Sequence, residues 1–311
     1  MACRVVFFNM NQLGDLLFSL PTIKATKDEL SAQIYCIVPS SLSSLLIASK
    51  LIDGHFSKDD SFLKTLKNIK KENFNKAVLF SESTSSLLIA FFSNIQERFG
   101  FETAGLNFLL TKRVIRKGVP SLFNNKNLGT ALGLKNIKND YCEILKIPKQ
   151  NFDNVEEWLK TNSISDKKII AISVGSSKKR QNKKLDERKW IEVINFLSEK
   201  NLICVLVGAK WEKSELERIA KQCRAEPKIF AGENGILDNA AFFQKCSLFV
   251  GIDSGAMHLA AAVGLKCIVV FGNTDPNQIG PLPFEKHIII KKESIKQIKA
   301  EEIVEQVCKI L

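Results

Sequence analysis

The chain has 311 residues, with 45 basic and 33 acidic side chains, a net charge of +12, three histidines and 45% apolar residues. That balance describes a folded globular protein of about two domains and excludes a largely disordered chain. No apolar run approaches the roughly 18–20 residues of a membrane span. The apolar start Val5–Phe8 is interrupted by Asn9, Asn11, Gln12 and Asp15, which argues against a signal peptide.

In chain order, β-rich runs alternate with helical stretches. Strands are expected at Arg4–Phe8, Gln33–Val38 and Lys76–Phe80, with helices near Leu16–Leu30, Ser41–Leu51 and Thr84–Asn94 between and after them. Residues 107–140 break the rhythm. They are rich in Lys, Asn and Gly, and read either as a long substrate-facing loop with short helices or as a disordered connector. A domain junction is expected after Pro148, and the scheme then repeats. Strands are expected at Lys168–Val174, Leu202–Val207, Lys228–Phe230, Leu248–Gly251 and Cys267–Phe271. Helices are expected at Asp186–Lys200, Lys210–Cys223, Leu237–Lys245 and Ser254–Val263. Continuous apolar runs such as Ile203–Val207 and Cys267–Phe271 predict strands buried on both faces, as in a parallel sheet flanked by helices. Each half therefore reads as a doubly wound α/β unit, residues 1–150 and residues 151–291, followed by a terminal amphipathic helix over 292–311.

Charge is uneven. Residues 98–149 carry ten basic and three acidic side chains, a patch that attracts an anionic partner. A lysine-rich solvated surface would give the same count. The eight cysteines include no CxxC pair. Cys36, Cys204 and Cys267 lie inside apolar runs, which suits reduced core thiols in a cytosolic protein. Three scattered histidines make a zinc site improbable.

Neither G-x-G-x-x-G, G-x-x-x-x-G-K-[ST] nor G-x-S-x-G occurs. The densest small-residue segment is Gly251–Gly264, which follows a buried strand and opens a helix. Asp253 or Ser254 suits a helix cap, and Gly255 permits close approach of a backbone or ligand. The amino end of such a helix is an anion site as readily as a capped end. His258, one turn further, is either an added donor or a structural histidine. A second turn, Phe271–Pro276, also follows a strand. A third, Val174–Ser177, leads into residues 178–184, with five cations in seven positions. That arrangement suits a diphosphate, and equally a solvated charged loop. Near the start, Gly14 suits a tight strand-to-helix turn. Asp15 then either caps the helix or presents a carboxylate that takes a proton from an attacking hydroxyl.

Together these segments resemble glycosyltransferase family 9, the ADP-heptose:lipopolysaccharide heptosyltransferases. Arg4–Pro21 looks like the family's strand, S-S-x-G-D turn and L-P ending. Gly251–Gly264 resembles D-[ST]-G-x-x-H-L-A-A-A-x-G, Phe271–Pro276 resembles F-G-P-T-D-P, and Val207–Glu212 is similar to V-G-A-x-x-E. The resemblance implies a GT-B fold, two Rossmann-like domains facing a cleft, with the lipid-linked acceptor on the first and the nucleotide sugar on the second. It implies inverting transfer of heptose from ADP-heptose to the lipopolysaccharide inner core, with no metal and no cofactor beyond the donor substrate. By position, Asp15 would be the general base. Lys183 would neutralise the leaving diphosphate with Ser176 and Ser177 nearby. Asp253, Ser254, Gly255 and His258 would hold donor phosphates and sugar, and Glu212 the ribose.

The chain departs from the family at Asn9, at Asn11-Gln12, at Leu185 and at Ser81–Ser86, where Ser85 replaces a cation that meets an acidic acceptor sugar. The basic segment 98–149 is a source of substitute cations, and favours a peripheral place on the anionic inner leaflet of the cytoplasmic membrane. Two other classes compete. One is a related transferase using another nucleotide sugar, or a different glycan or protein acceptor. The other is a non-catalytic basic protein that binds nucleic acid, for which the sequence offers no recognition signature; no nucleic-acid partner is expected.

Overall fold

The computed structural model describes residues 3–8, 10–102, 105–118, 120–165, 167–175, 184–232 and 234–311. The chain divides into two compact units, Met1–Lys146 and Ile147–Leu311.

The first unit runs β1 (Arg4–Phe8), α1 (Leu13–Leu30), β2 (Gln33–Val38), α2 (Ser43–Ala48), β3 (Gly54–Ser57), α3 (Phe62–Glu72), β4 (Lys76–Leu79), α4 (Thr84–Phe92), β5 (Glu97–Phe101), β6 (Lys112–Val114) and α5 (Ser121–Ala131). Its sheet has the order β3-β2-β1-β4-β5-β6, all parallel, with Val6 in register with both Tyr35 and Ala77. The chain winds outward from β1 in one direction and restarts beside it at β4. The gap between the carboxyl ends of β1 and β4 is therefore the topological switch point, where open α/β sheets bind ligands.

The second unit begins with α6 (Lys149–Thr161). It continues through β7 (Ile169–Ser173), α7 (Glu187–Glu199), β8 (Ile203–Gly208), α8 (Lys213–Ala220), β9 (Lys228–Ala231), α9 (Ile236–Lys245), β10 (Leu248–Ile252), α10 (Gly255–Ala262), β11 (Cys267–Phe271), α11 (Pro276–Ile279), β12 (Ile288–Lys291) and α12 (Ala300–Cys308). The order is β12-β11-β10-β7-β8-β9, again parallel, with the switch point between β7 and β10. Every residue of β7, β10 and β11 is buried, as continuous apolarity requires of strands covered on both faces. On one face, Trp190, Val193, Ile194 and Leu197 of α7 repeat at helical spacing and pack on Ile170, Ile172, Ile268 and Val270. Each such buried aliphatic side chain contributes roughly 1.5–3 kcal/mol.

Three expectations need correction. Residues 107–140 are not a disordered connector, and they carry more structure than a loop with short helices. They supply β6 and α5, whose Asn124 and Asn125 are buried. Asn124 accepts from the Lys117 N–H at 2.9 Å and donates to the Lys117 carbonyl, while Asn125 donates to the Phe18 carbonyl of α1. The terminal helix starts at Ala300, after a 3₁₀ turn at Ile295–Gln297. The expected single helix 210–223 is a 3₁₀ turn, Lys210–Glu212, followed by α8, because the Glu212 carboxylate turns back to accept from the Ala209 N–H. All eight cysteines are free thiols. Among the described residues, no helix is long and apolar enough to cross a membrane.

Candidate active site

In the second unit, the sequence-nominated residues gather along the carboxyl rim of one sheet. Glu212 follows β8. Its carboxylate is only 8% exposed, with Oε2 2.8 Å from the Ala209 N–H. The space it fills exists because two neighbours lack side chains. A Cβ on Gly175, after β7, would lie 1.6 Å from Oε1, and a Cβ on Gly208 would lie 3.1 Å from Oε2. Burial raises the Glu212 carboxyl above the usual carboxylate range, and the Ala209 hydrogen bond opposes that.

Asp253, directly after β10, is also 8% exposed and accepts from the Thr274 hydroxyl at 2.9 Å, tying the β10 rim to the turn after β11. Ser254 is the N-cap of α10 and accepts from the Met257 N–H. Gly255 opens the helix, so the first backbone N–H groups of α10 fall at the switch point without intrahelical acceptors. His258 is buried one turn in. Two buried carboxylates, a capped helix end and a hydroxyl turn thus share one rim, an arrangement able to accept from sugar hydroxyls and to donate to an anion. The nominated Ser176, Ser177 and Lys183 lie outside the described residues. Lys184, next in the chain, is held by both oxygens of Glu215 at 2.6 and 2.7 Å.

In the first unit, Asp15 sits in the third position of α1 and is exposed. Its Oδ2 accepts from the Gln12 N–H at 3.1 Å, so it does cap the helix. It also lines a pocket at the β1/β4 switch point with Phe80, Ser81, Arg116, Ser121 and Asn125. The two readings left open by the sequence are therefore compatible: one oxygen serves the cap while the side chain borders the pocket.

Arg116 was not singled out in the sequence. Its signal was the cationic stretch 98–149 from which it comes. Its guanidinium lies 5.1 Å from the centre of the Phe101 ring and 3.9 Å from Glu82. Thr274 was legible only as part of a turn, and Gly175 only as the start of another.

Two Rossmann-like units with charged rims at both switch points define a GT-B glycosyltransferase architecture. The profile of glycosyltransferase family 9 (heptosyltransferase) matches residues 62–308, and the chain belongs to that family. It is 25% identical over 245 residues to lipooligosaccharide heptosyltransferase 2 of Haemophilus influenzae, covering 74% of this chain and 70% of that one. Its fold matches that of a family 9 glycosyl transferase from Veillonella parvula with a TM-score of 0.88 at 16% identity, over 99% and 97% of the two chains. It also matches the Escherichia coli heptosyltransferase WaaC, solved with ADP, with a TM-score of 0.76 at 15% identity, over 99% and 100% of the two chains.

Proposed function

We propose that this chain is an inverting, metal-independent transferase that moves heptose from ADP-heptose to the lipopolysaccharide inner core, working in the cytoplasm at the surface of the inner membrane. The observation that carries the donor half is the rim around Glu212. A buried carboxylate over two glycines, on the same sheet rim as the amino end of α10, suits the ribose and diphosphate of one nucleotide. The E. coli relative bound to ADP supports the choice of nucleotide.

Asp15 removes the proton from the acceptor hydroxyl as that oxygen attacks the anomeric carbon. The bond from that carbon to the donor phosphate breaks, ADP leaves with the electron pair, and the anomeric configuration inverts. Negative charge grows on the departing phosphate. The α10 N–H groups, together with Ser176, Ser177 and Lys183, stabilise it where it develops. Asp253 and His258 shape the sugar side. No metal or cofactor enters this scheme; the donor is itself the activated species. In the first unit, Arg116 supplies a cation for the anionic, lipid-linked acceptor.

The discriminating experiment is Asp15→Asn. Release of ADP in the presence of a Kdo- or heptose-bearing lipid falls by about 10²–10⁴-fold, the usual range for a lost acid–base group, while calorimetric donor affinity stays within twofold. Unchanged turnover removes Asp15 from the chemistry. A second reading keeps the transferase and changes the acceptor to another glycan or a protein, or the donor to another nucleotide sugar. Ser83 and Ser85, whose hydroxyls lie 3.1 Å apart at the start of α4 where the family carries a cation, favour it. Tighter binding of UDP-sugars than ADP-sugars, or intact lipopolysaccharide in a strain lacking the protein, selects that reading.

A further inference from the structure

Outside both rims, the first unit carries an exposed apolar surface. Phe108 is 76% exposed, Ile115 66%, Phe92 52% and Phe91 39%. Helix α4 packs against residues 107–109. The rings of Phe91 and Phe92 lie 5.4 Å apart at the end of α4. The Arg98 guanidinium sits 5.4 Å from the centre of the Phe91 ring, and its Nε donates to the carbonyl of Leu109, the residue after Phe108. The Arg98 N–H bonds the Thr111 hydroxyl at 2.7 Å, which leads into β6, the last strand of its sheet.

The stretch from residue 105 to 118 is basic. Residues 105–118 contain Lys112, Arg113, Arg116 and Lys117 and no acidic residue. Lys112 and Arg113 are both exposed on the edge strand. Exposed phenylalanines beside a stretch in which cations outnumber the neighbouring carboxylates Glu82, Glu97 and Glu102 suit a surface that is apolar below and anionic above. They suit a second copy of this chain poorly. Stacking like charges would oppose it, and lysine and arginine on an edge strand discourage strand-to-strand pairing. The patch also adjoins the acceptor pocket: Ile115 points outward one residue before Arg116, which lines the pocket beside Asp15.

We infer that the face formed by the end of α4, residues 107–109 and the β6 edge docks onto an anionic lipid bilayer, with Phe92 and Phe108 entering the interface and Lys112 and Arg113 on the headgroups. The inference deepens the membrane part of the function proposed above, and rests on that reading for why a lipid surface should lie beside this pocket.

Co-sedimentation with vesicles tests it without donor or acceptor. The full chain partitions onto phosphatidylcholine vesicles containing phosphatidylglycerol, far less onto phosphatidylcholine alone, and less as salt rises. Each cation near such a surface is worth about fivefold, so Lys112→Gln with Arg113→Gln weakens partitioning about 25-fold. Phe108→Ser, removing an anchoring ring, weakens it about tenfold. Far-UV circular dichroism and calorimetric ADP binding are unchanged in both variants, which shows that both units fold.

Equal binding to both vesicle types overturns the proposal. So does full binding by Phe108→Ser, and so does a concentration-dependent self-association in light scattering that the substitutions abolish. Vesicle binding without any measurable heptose transfer would leave this surface standing and remove the catalytic reading. Transfer to a soluble, deacylated acceptor without vesicle binding would do the reverse.

Discussion

Gly175→Ala is the sharpest probe of the donor rim. The added Cβ would fall 1.6 Å from Glu212 Oε1 and 2.7 Å from its Cδ, so the carboxylate must leave its place. Moving it gives up the hydrogen bond by which the Ala209 N–H holds Oε2 at 2.8 Å. Breaking a buried hydrogen bond to a charged acceptor costs about 1.5–3 kcal/mol, and overpacking costs about 1–3 kcal/mol. A loss of about 3 kcal/mol is expected.

All three tryptophans, Trp158, Trp190 and Trp211, lie in the second unit, so their fluorescence reports its unfolding. At a urea slope of about 2 kcal/mol/M, the midpoint should fall by roughly 1.5 M, and ADP affinity should fall with it. Glu212→Ala makes room for the methyl. The double variant should therefore be more stable than Gly175→Ala alone, with a coupling energy above about 1 kcal/mol in the double-mutant cycle. Equal midpoints for the native chain and Gly175→Ala, or a cycle that closes additively, would refute the crowding argument.

Two further outcomes concern pH. Because burial raises Glu212, the folded chain holds its proton where the unfolded chain has released it. This contribution favours the folded state at acid pH and is lost as pH rises through the folded pKa. Glu212→Gln removes that dependence, so its stability relative to the native chain should improve between pH 4 and pH 7.5; a constant difference in urea midpoint contradicts this. His287 behaves oppositely. Burial pushes its imidazole down to about 4, and its Nδ1 accepts from the Cys267 N–H at 3.2 Å, which needs the neutral ring. Its contribution is complete above the unfolded value of about 6.5 and is lost as pH falls towards 4, a swing on the order of 3 kcal/mol. His287→Gln should lose less stability than the native chain between pH 7 and pH 4.5, and parallel losses would exclude the ring as the cause.

What the sequence revealed depended on burial. The fully buried strands β7, β10 and β11 announce themselves as apolar runs, and β1, β2 and β11 match their expected bounds. The edge strands β3 and β6 are short and half-exposed and carry no apolar run, and the run in β12 is only Ile288–Ile290. Helix α3 has only Thr65 and Ile69 fully buried, and its lysines masked it. Helix α5 hid for a different reason. It fills buried positions with Asn124 and Asn125, whose amides are satisfied by the backbone of nearby Lys117 and of Phe18 in α1. The donor rim was legible because its residues cluster in short segments after predicted strands. The pocket beside Asp15 was not, because Arg116 after β6 and Ser121 and Asn125 of α5 meet Asp15 only in the folded unit.

The two sheets share no strand, and each carries its own rim of loops. Strands buried on both faces ask only for apolar volume, so their identities drift freely while the backbone holds, consistent with a TM-score of 0.88 at 16% identity. Chemistry is confined to loops that two independent cores support. On the function proposed above, evolution can retune one rim without disturbing the other, and chimaeras joined near residue 147 offer a laboratory route to new donor–acceptor pairings.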